Sequence, residues 1–320
     1  MSEPVAVTGT AAAPATTPLT GSQYEICAGE YRATVTELGA GLRRLSYAEA
    51  ALIRQYEADE LPPAAAGQLL TPWPNRVDGG KYEFDGMSLQ LELTEPARGN
   101  AIHGLTRWAN WQFVAQSDAE VTLAHALHGR PGYPFCLELS VTYRLDSASG
   151  LQVAVTATNA GTRPAPYGTG CHPYLVTSAQ FADDCELELP ASYWLPTDDR
   201  GIPAGSVRDV TGSPLDFRNP RLIGSTGLDH AFTGLKRDES GRAWARLAGC
   251  GRKLGLWAGP GYDWIQVFTG DTLAPHQRRR AVAVEPMTCP PNAFATGAGR
   301  LTLAPADSVT HCWGIEVLHP

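Results

Sequence analysis

A carboxylate and an imidazole in this chain occupy settings suited to acid–base chemistry. Glu285 ends the apolar stretch 281–284 and precedes a proline-rich turn. At the end of a buried strand a carboxyl group loses solvation, so its pKa rises and its carboxylate becomes a stronger base. His172 lies between a glycine-rich turn and Pro173, and an imidazole with its ordinary pKa of about 6.5 can serve as a general acid. Considered singly, Glu285 could instead face water on an edge strand, and His172 could be a structural histidine.

Four further polar clusters interrupt the hydrophobic pattern and add candidate site residues. They contain, in chain order, Asn75, Arg76, His103, Asp229 and Gln266. Arg76 stands between prolines and a Gly-Gly turn, which would hold it near the end of a strand. The alternative interpretation is a surface arginine that pairs with a carboxylate.

Motifs of several other chemistries are absent from the sequence. We find no dinucleotide fingerprint G-x-G-x-x-G after a strand, no phosphate loop, no H-E-x-x-H and no G-x-S-x-G. His125 and His128 have a spacing that could serve a metal, but they adjoin a Gly-Arg-Pro-Gly turn. The sequence therefore does not support a dinucleotide site, a phosphate loop or a hydrolase elbow, and it does not favour a metal at His125 and His128.

The charge balance bears on possible partners. The chain has 320 residues, with 25 Lys and Arg against 33 Asp and Glu, for a net charge of −8. No stripe of basic residues could pair with a phosphate backbone, so nucleic acid is not expected as a partner. The short run Arg278-Arg279-Arg280 predicts a solvated loop.

Membrane and export signals are also missing from the sequence. A membrane-spanning helix needs about 18 or more apolar residues in succession, and the N-terminus lacks the basic region of a signal peptide. The seven cysteines are odd in number and form no C-x-x-C, which favours reduced thiols. These features predict a cytoplasmic protein that does not bind membranes.

Short segments of alternating polar and apolar residues predict β-strands along the chain. Examples are residues 31–36, 88–93, 137–143, 151–157, 185–189 and 282–285. Gly- and Pro-containing turns separate them. Helical periodicity is weak, although residues 48–60 could form a short helix.

This spacing of strands predicts an all-β fold, a large and mostly antiparallel β-sandwich or barrel. No repeat and no shift in composition marks a boundary within the strand-rich part. Residues 1–22 are rich in Ala, Thr and Pro and predict a flexible tail. We therefore expect one domain over residues 23–320.

The polar clusters, in this order, resemble the aldose 1-epimerase (galactose mutarotase) family. The matching pieces are Asn75-Arg76, Asn100-Ala101-Ile102-His103-Gly104, His172-Pro173-Tyr174, Leu228-Asp229-His230-Ala231-Phe232, Gln266 before Thr269-Gly270, and Glu285-Pro286. The resemblance covers residues 23–318. It implies the family's β-supersandwich, a sugar-binding cleft, and interconversion of α and β anomers of free aldohexoses without metal or cofactor.

The same resemblance implies a role for each matching residue. Glu285 would be the general base at the C1 hydroxyl, His172 the general acid at the ring oxygen, and His103 an assisting group. The groups expected to hold sugar hydroxyls are Asn75, Arg76, Asp229 and Gln266. We expect a monosaccharide as the partner and a monomer or homodimer.

Two alternatives remain at this stage. A hexose-6-phosphate epimerase of the same superfamily would need basic residues near C6 of the sugar, and Arg98, Arg107 and Arg130 are available. The net charge of −8 favours uncharged sugars over this alternative. A non-catalytic sugar-binding sandwich would have no need of both His172 and Glu285.

Overall fold

The computed structural model describes residues 16–318, and β-strands dominate this part of the chain. The strands, in chain order, are β1 (Gln23–Ala28), β2 (Tyr31–Thr36), β3 (Leu42–Tyr47), β4 (Ala50–Ala51), β5 (Leu69–Leu70), β6 (Arg76–Asp78), β7 (Lys81–Phe84), β8 (Met87–Gln90), β9 (Asn100–Ile102), β10 (Gln112–Gln116), β11 (Glu120–Leu127), β12 (Leu137–Asp146), β13 (Gly150–Asn159), β14 (Ala165–Tyr167), β15 (Gly170–Cys171), β16 (Tyr174–Leu175), β17 (Glu186–Glu188), β18 (Ala191–Leu195), β19 (Arg208–Asp209), β20 (Arg221–Leu222), β21 (Asp229–Leu235), β22 (Ala243–Gly249), β23 (Arg252–Ala258), β24 (Trp264–Phe268), β25 (Val282–Met287), β26 (Leu301–Leu303) and β27 (Ser308–Val317).

Helical structure is sparse within the same residues. One α-helical turn, α1, spans Ala293–Thr296, and 3-10 turns span Pro63–Ala65 and Ala182–Asp184. No helix among residues 16–318 is long and apolar enough to cross a membrane.

Two large antiparallel sheets form the body of the fold. The nine-stranded sheet has the order β10-β11-β12-β13-β27-β23-β22-β17-β20. The eight-stranded sheet has the order β19-β18-β21-β24-β25-β15-β5, and β16 also pairs with β25. A four-stranded sheet, β1-β2-β3-β4, and three two-stranded ribbons complete the arrangement. The prediction of an all-β, mostly antiparallel sandwich is confirmed.

The hydrophobic core explains the period-two segments. In β12, every second side chain from Leu137 to Leu145 is buried, and β13 shows the same alternation from Leu151 to Ala157. Side chains of these strands belong to the same buried cluster as Ile265 of the eight-stranded sheet. One face of each sheet thus contributes to a shared core, as alternation predicts for a sandwich.

The centre of the eight-stranded sheet departs from that alternation. All six residues of β25 are buried, so this strand is covered on both faces. Glu285 is inside β25 and only 2% exposed, rather than at its end. The edge-strand interpretation of Glu285 is therefore wrong, and the desolvated one applies.

In two places within the first sixty residues the structure differs from what the sequence predicts. Residues 48–60 form no helix but contain the short strand β4 followed by loop, with Tyr56 buried. The first 15 residues of the expected tail lie outside the described residues. Within the remainder, Thr20 is fully buried, and its N–H and hydroxyl both donate to the carbonyl of Ala58, at 3.2 and 2.8 Å.

Candidate active site

The strand register of the eight-stranded sheet brings His172 to Glu285. β25 pairs through Met287 with Gly170 of β15 and through Ala283 with Tyr174 of β16. Continuing that register places His172 opposite Glu285. On its other side Glu285 pairs with Gln266 of β24. The three side chains therefore occupy neighbouring positions across the sheet and share one face.

Two prolines interrupt the hydrogen-bond ladder around this pair. Pro173 and Pro286 have no N–H, so neither can donate to the ladder. The N–H of Val284 donates to the carbonyl of Pro173 at 3.1 Å, and the N–H of His172 donates to the carbonyl of Gln68 at 3.1 Å. The chain thus stays aligned at His172 although the regular pairing of β15 and β16 is broken there.

His172 and Glu285 are in direct contact in a setting that disfavours charge on both. Nε2 of His172 lies 3.3 Å from Oε1 of Glu285. Burial, followed by the charge of Asp229, raises the pKa of Glu285 well above its ordinary value. Burial, followed by the charges of Arg107 and Arg76, lowers the pKa of His172 to about 3. Both shifts favour the uncharged forms, so the pair as a whole retains one proton over a wide pH range.

His103 is fixed by a turn that faces the pair. Asn75 and His103 have φ angles of 55° and 62°, unusual for residues with side chains. The N–H of His103 donates to the carbonyl of Asn75 at 2.9 Å, and the N–H of Asn75 donates to Nδ1 of His103 at 3.2 Å. Gly104 follows because a Cβ there would lie 2.1 Å from the carbonyl oxygen of Thr71.

These contacts define the protonation state of His103. Nδ1 accepts a hydrogen bond, so a neutral ring carries its proton on Nε2. Burial and the neighbouring charges of His172 and the arginines lower the pKa of His103 well below its ordinary value. His103 is therefore a neutral hydrogen-bond donor, with its ring 5.5 Å from that of His172.

Arg76 is oriented by the partly buried carboxylate of Glu95. Its Nε and one terminal nitrogen donate to the two oxygens of Glu95 at 2.9 and 3.0 Å, a bidentate arrangement. Asn100 also donates to Glu95, at 3.1 Å. The alternative of a surface arginine paired with a carboxylate is wrong as to the surface, because the side chain of Arg76 is only 12% exposed and the pair is part of the cavity wall.

Asp229 and Gln266 form a second polar pair beside Glu285. Nε2 of Gln266 donates to Oδ1 of Asp229 at 2.7 Å. Oε1 of Gln266 and Oε2 of Glu285 are buried without a hydrogen-bond partner among the described residues. Buried polar atoms are normally hydrogen-bonded, so both are suited to a polar ligand.

A single cavity of about 420 Å³ joins these groups. Its walls include all seven residues that the sequence singles out, namely Asn75, Arg76, His103, His172, Asp229, Gln266 and Glu285. This volume is typical of a site for a small molecule. Within residues 16–318, no group of three or more His, Cys, Asp or Glu side chains could hold a metal ion.

Sequence reasoning missed several residues of the cavity wall. Glu95, Tyr174 and Phe268 line it without having been assigned a role, and Arg98 and Arg107, which the sequence offers as basic residues, line it too. Glu95 carries no motif of its own, and its position in the wall follows from its contact with Arg76.

Neither Trp73 nor Trp108 lines the cavity. Trp73 is buried and packs on Phe294 with ring centroids 5.2 Å apart. Trp108 is 49% exposed and is not part of the wall. The rings that line the cavity are those of Tyr174 and Phe268.

One loop of the cavity wall is held by an arginine from the basic run. Thr272 and Leu273 line the cavity. Arg279 donates to Asp183 and Asp271 at 2.7 Å each, and its side chain is only 13% exposed. The prediction of a solvated loop at 278–280 is therefore wrong for Arg279, which connects the loop to the 3-10 turn at Ala182–Asp184.

Comparison with known proteins shows the family of the chain. The family model for aldose 1-epimerase matches residues 22–315. The uncharacterized protein YihR of Escherichia coli K12 is 35% identical over 284 residues, covering 88% of this chain and 89% of YihR. The aldose 1-epimerase of Escherichia coli K12 is 28% identical over 228 residues, 66% of this chain and 64% of that protein.

Solved structures share the fold at low sequence identity. An aldose epimerase homologue from C. elegans superposes with a TM-score of 0.83 at 19% identity, covering 93% of this chain and 99% of that one. A galactose 1-epimerase from Lactobacillus acidophilus NCFM superposes with a TM-score of 0.77 at 21% identity, covering 91% and 92%. At these identities the superpositions show the fold alone. On the match over residues 22–315 and the likeness to YihR, the chain belongs to the aldose 1-epimerase family.

Proposed function

We propose that this protein is an aldose 1-epimerase that interconverts the α and β anomers of free aldohexoses such as galactose and glucose. The observation that carries the proposal is the 3.3 Å contact between His172 and Glu285 on the wall of a polar cavity. Anomer exchange needs one proton removed from the C1 hydroxyl and one delivered to the ring oxygen. A carboxylate and an imidazole in contact can exchange these roles.

In the ring-opening step, Glu285 as carboxylate takes the proton of the C1 hydroxyl. The C1–O5 bond breaks, C1 becomes an aldehyde carbon, and O5 takes a proton from the imidazolium of His172. Rotation about C1–C2 then presents the other face of the aldehyde. In ring closure His172 removes the proton from O5, O5 attacks C1, and Glu285 returns its proton to the new C1 hydroxyl.

The buried setting favours the open-ring stage of this reaction. When the ring is open, Glu285 is protonated and His172 is neutral, which is the form that burial favours. The starting carboxylate and imidazolium are the costly form in a poorly solvated site. Sugar hydroxyls that bond to the unpartnered Oε2 of Glu285 would offset part of that cost.

The remaining polar groups have suitable positions for binding. His103 can donate from Nε2 to a sugar oxygen without becoming charged. Asn75 uses Oδ1 to accept from the N–H of Arg76 at 2.9 Å, which leaves its NH₂ for a ligand. Asp229 and Gln266, joined at 2.7 Å, would receive hydroxyls near Glu285.

The test is relaxation of freshly dissolved α-D-galactose and α-D-glucose, followed by polarimetry with and without the protein. We expect acceleration by the wild type, and losses of about 10²-fold or more in kcat for Glu285→Gln and His172→Asn. Glu92→Gln and His128→Asn change the same residue types at exposed positions and should retain activity. Sugar binding without acceleration would support a binding protein instead, and near-full turnover by either site variant would remove the role assigned to that residue.

A further inference from the structure

The proposed general acid lacks the contact that usually orients a histidine. Nδ1 of His172 is buried and forms no hydrogen bond with another residue in the described part of the chain. The carbonyl of His172 itself acts on the ring as an acceptor, without the geometry of a hydrogen bond. A hydrogen bond at the second nitrogen normally fixes the tautomer and the orientation of an imidazole. The orientation of His172 must therefore depend on the side chains that pack on it.

Two rings pack on this imidazole. The ring of Tyr174 stacks on it, with centroids 4.8 Å apart and planes inclined by 23°, and the ring of His103 meets it edge-on at 5.5 Å. The stack follows from the extended chain, because side chains two residues apart point to the same face of a sheet. Stacking restricts rotation of the imidazole about Cβ–Cγ. That rotation would move Nε2 of His172 away from Oε1 of Glu285, which lies 3.3 Å from it.

Tyr174 is itself held at both ends. It is only 1% exposed, and its strand β16 pairs with β25 at Ala283. Its carbonyl accepts from the N–H of Arg54 at 2.8 Å, and its hydroxyl donates to the carbonyl of Ala64 at 3.1 Å. The backbone and the hydroxyl are thus both fixed, so the ring between them is a rigid surface for the imidazole of His172.

The hydroxyl of Tyr174 also anchors a turn of the cavity wall. The N–H of Ala66 donates to the carbonyl of Pro63 at 3.0 Å, which closes the turn. Its two central residues, Ala64 and Ala65, have φ angles of 51° and 62°, and both line the cavity. Left-handed angles at both central positions favour Asn and Gly over alanine. A pair of alanines in this conformation therefore benefits from a hydrogen bond outside the turn, which Tyr174 supplies.

We propose that Tyr174 is a positioning residue with two separable actions. Its ring face holds the imidazole of His172 toward Glu285, and its hydroxyl holds the turn at Ala64 and Ala65 in the cavity wall. The inference rests on the proposed function, because it assigns the first action to proton transfer and the second to sugar binding. Loss of the ring face should therefore lower kcat, whereas loss of the hydroxyl alone should raise KM.

The experiment compares Tyr174→Leu with Tyr174→Phe in the steady-state kinetics of anomer exchange. Tyr174→Leu removes the ring, and we expect kcat to fall by about 10- to 100-fold, because small displacements of a reacting group are costly. Tyr174→Phe keeps the ring but removes the hydroxyl, and we expect most of kcat to be retained while KM rises by about two- to tenfold. A fall of kcat by about tenfold or more in Tyr174→Phe would overturn the action of the ring face, even if Tyr174→Leu did not fold. An unchanged KM in Tyr174→Phe would overturn the action of the hydroxyl.

Two tyrosines outside the cavity provide matched controls. Tyr24 stacks on Phe113 with centroids 5.5 Å apart and planes inclined by 21°, and the hydroxyl of Tyr82 donates to the carbonyl of Gly132 at 2.7 Å. Neither tyrosine lines the cavity. Tyr24→Leu and Tyr82→Phe should leave kcat and KM at the wild-type values. Equal changes in a control and in the matching Tyr174 variant would indicate a general loss of stability and would overturn the proposal.

Crystal structures of the variants separate this inference from the proposed function, because they require no turnover. In Tyr174→Leu we expect the imidazole of His172 to take more than one orientation or to turn away from Glu285. In Tyr174→Phe we expect the contact at 3.3 Å to persist. A single orientation that keeps this contact in Tyr174→Leu would overturn the action of the ring face, whatever the activity. If the expected orientations were observed but the wild type accelerated no anomer exchange, the epimerase would be rejected and the positioning of His172 by Tyr174 would stand.

Discussion

Burial sets the protonation of Glu285 and His172, the pair proposed to transfer protons. Burial raises the pKa of the carboxyl group and lowers that of the imidazole. In these uncharged forms the carboxyl group can donate a proton and the imidazole can accept one. In contact at 3.3 Å they share one proton, and moving it between them interchanges the acid and the base that the two half-reactions require.

The pH dependence of kcat/KM follows from this shared proton. The reactive pair has one proton, so the profile should be bell-shaped. In acid, His172 takes up a second proton, and its pKa of about 3 places this limb well below the range of an ordinary histidine. In alkali the pair loses its last proton, and the raised pKa of Glu285 places that limb above the range of an ordinary carboxyl group.

Asp229→Asn tests the cause of the alkaline limb. The charge of Asp229 raises the pKa of Glu285, so its removal should move the alkaline limb to lower pH, whatever its effect on the maximum rate. Asp199→Asn removes an exposed carboxylate outside the cavity and should leave the limb in place. An alkaline limb that stays fixed or rises in Asp229→Asn would contradict the role of this charge.

The sequence predicts which residues form the site but not the contacts between them. The ordered clusters around His172 and Glu285 identify residues that the fold brings into one cavity. Glu95 could not be found in this way, because a lone carboxylate in a loop has no signature until its contact with Arg76 is known. The tautomer of His103 depends on a backbone turn that residue type does not reveal.

At the scale of elements, two prolines make the active strand pair irregular. The alternation at 282–285 predicts a strand, but β25 continues to Met287 and includes Pro286. A proline inside a central strand argues against a strand assignment. It is tolerated because the facing chain is itself interrupted at Pro173, so the two interruptions lie on either side of His172 and Glu285.

The loop that carries Thr272 and Leu273 gives a test at the same scale. Arg279 connects this loop to Asp183 and Asp271 at 2.7 Å each. We expect Arg279→Gln to loosen the loop and raise KM about three- to tenfold, because charge-assisted hydrogen bonds of this kind contribute about 1.5–3 kcal/mol each and only part of that reaches the site. The measurement is steady-state kinetics with a saturable sugar.

Arg278→Gln is the control for this loop. Arg278 is the exposed neighbour in the same basic run, and its replacement changes the net charge equally. KM should stay at the wild-type value in Arg278→Gln. An equal rise of KM in both variants would show that charge, not the contacts of Arg279, is responsible.

At the scale of the whole molecule, the alternation of polar and apolar residues predicts the fold, whereas the net charge does not. Alternation in 137–143 and 151–157 predicts strands that the structure confirms as parts of β12 and β13, because period two is imposed by a core on one face. The helix considered at 48–60 does not form, because tertiary packing overrides weak local propensity. Net charge is a sum over the chain and does not indicate that Arg98 and Arg107 line the cavity.

The N-terminal limit of the domain gives a final prediction, since the sequence places it between residues 22 and 23. Thr20 is fully buried, its carbonyl accepts from the N–H of Leu38 at 3.1 Å, and its hydroxyl donates to Ala58 at 2.8 Å. Removing residues 1–22 rather than 1–15 should therefore lower the free energy of unfolding by a further amount of about 1–3 kcal/mol, because buried partners lose their hydrogen bonds. Denaturant unfolding of the two truncated chains measures this difference directly.

Thr20→Val in the full chain should reproduce part of this difference, whereas Thr17→Val, at an exposed position, should not. Equal stability of the two truncated chains would place the limit after residue 22, and a difference would place it before Thr20.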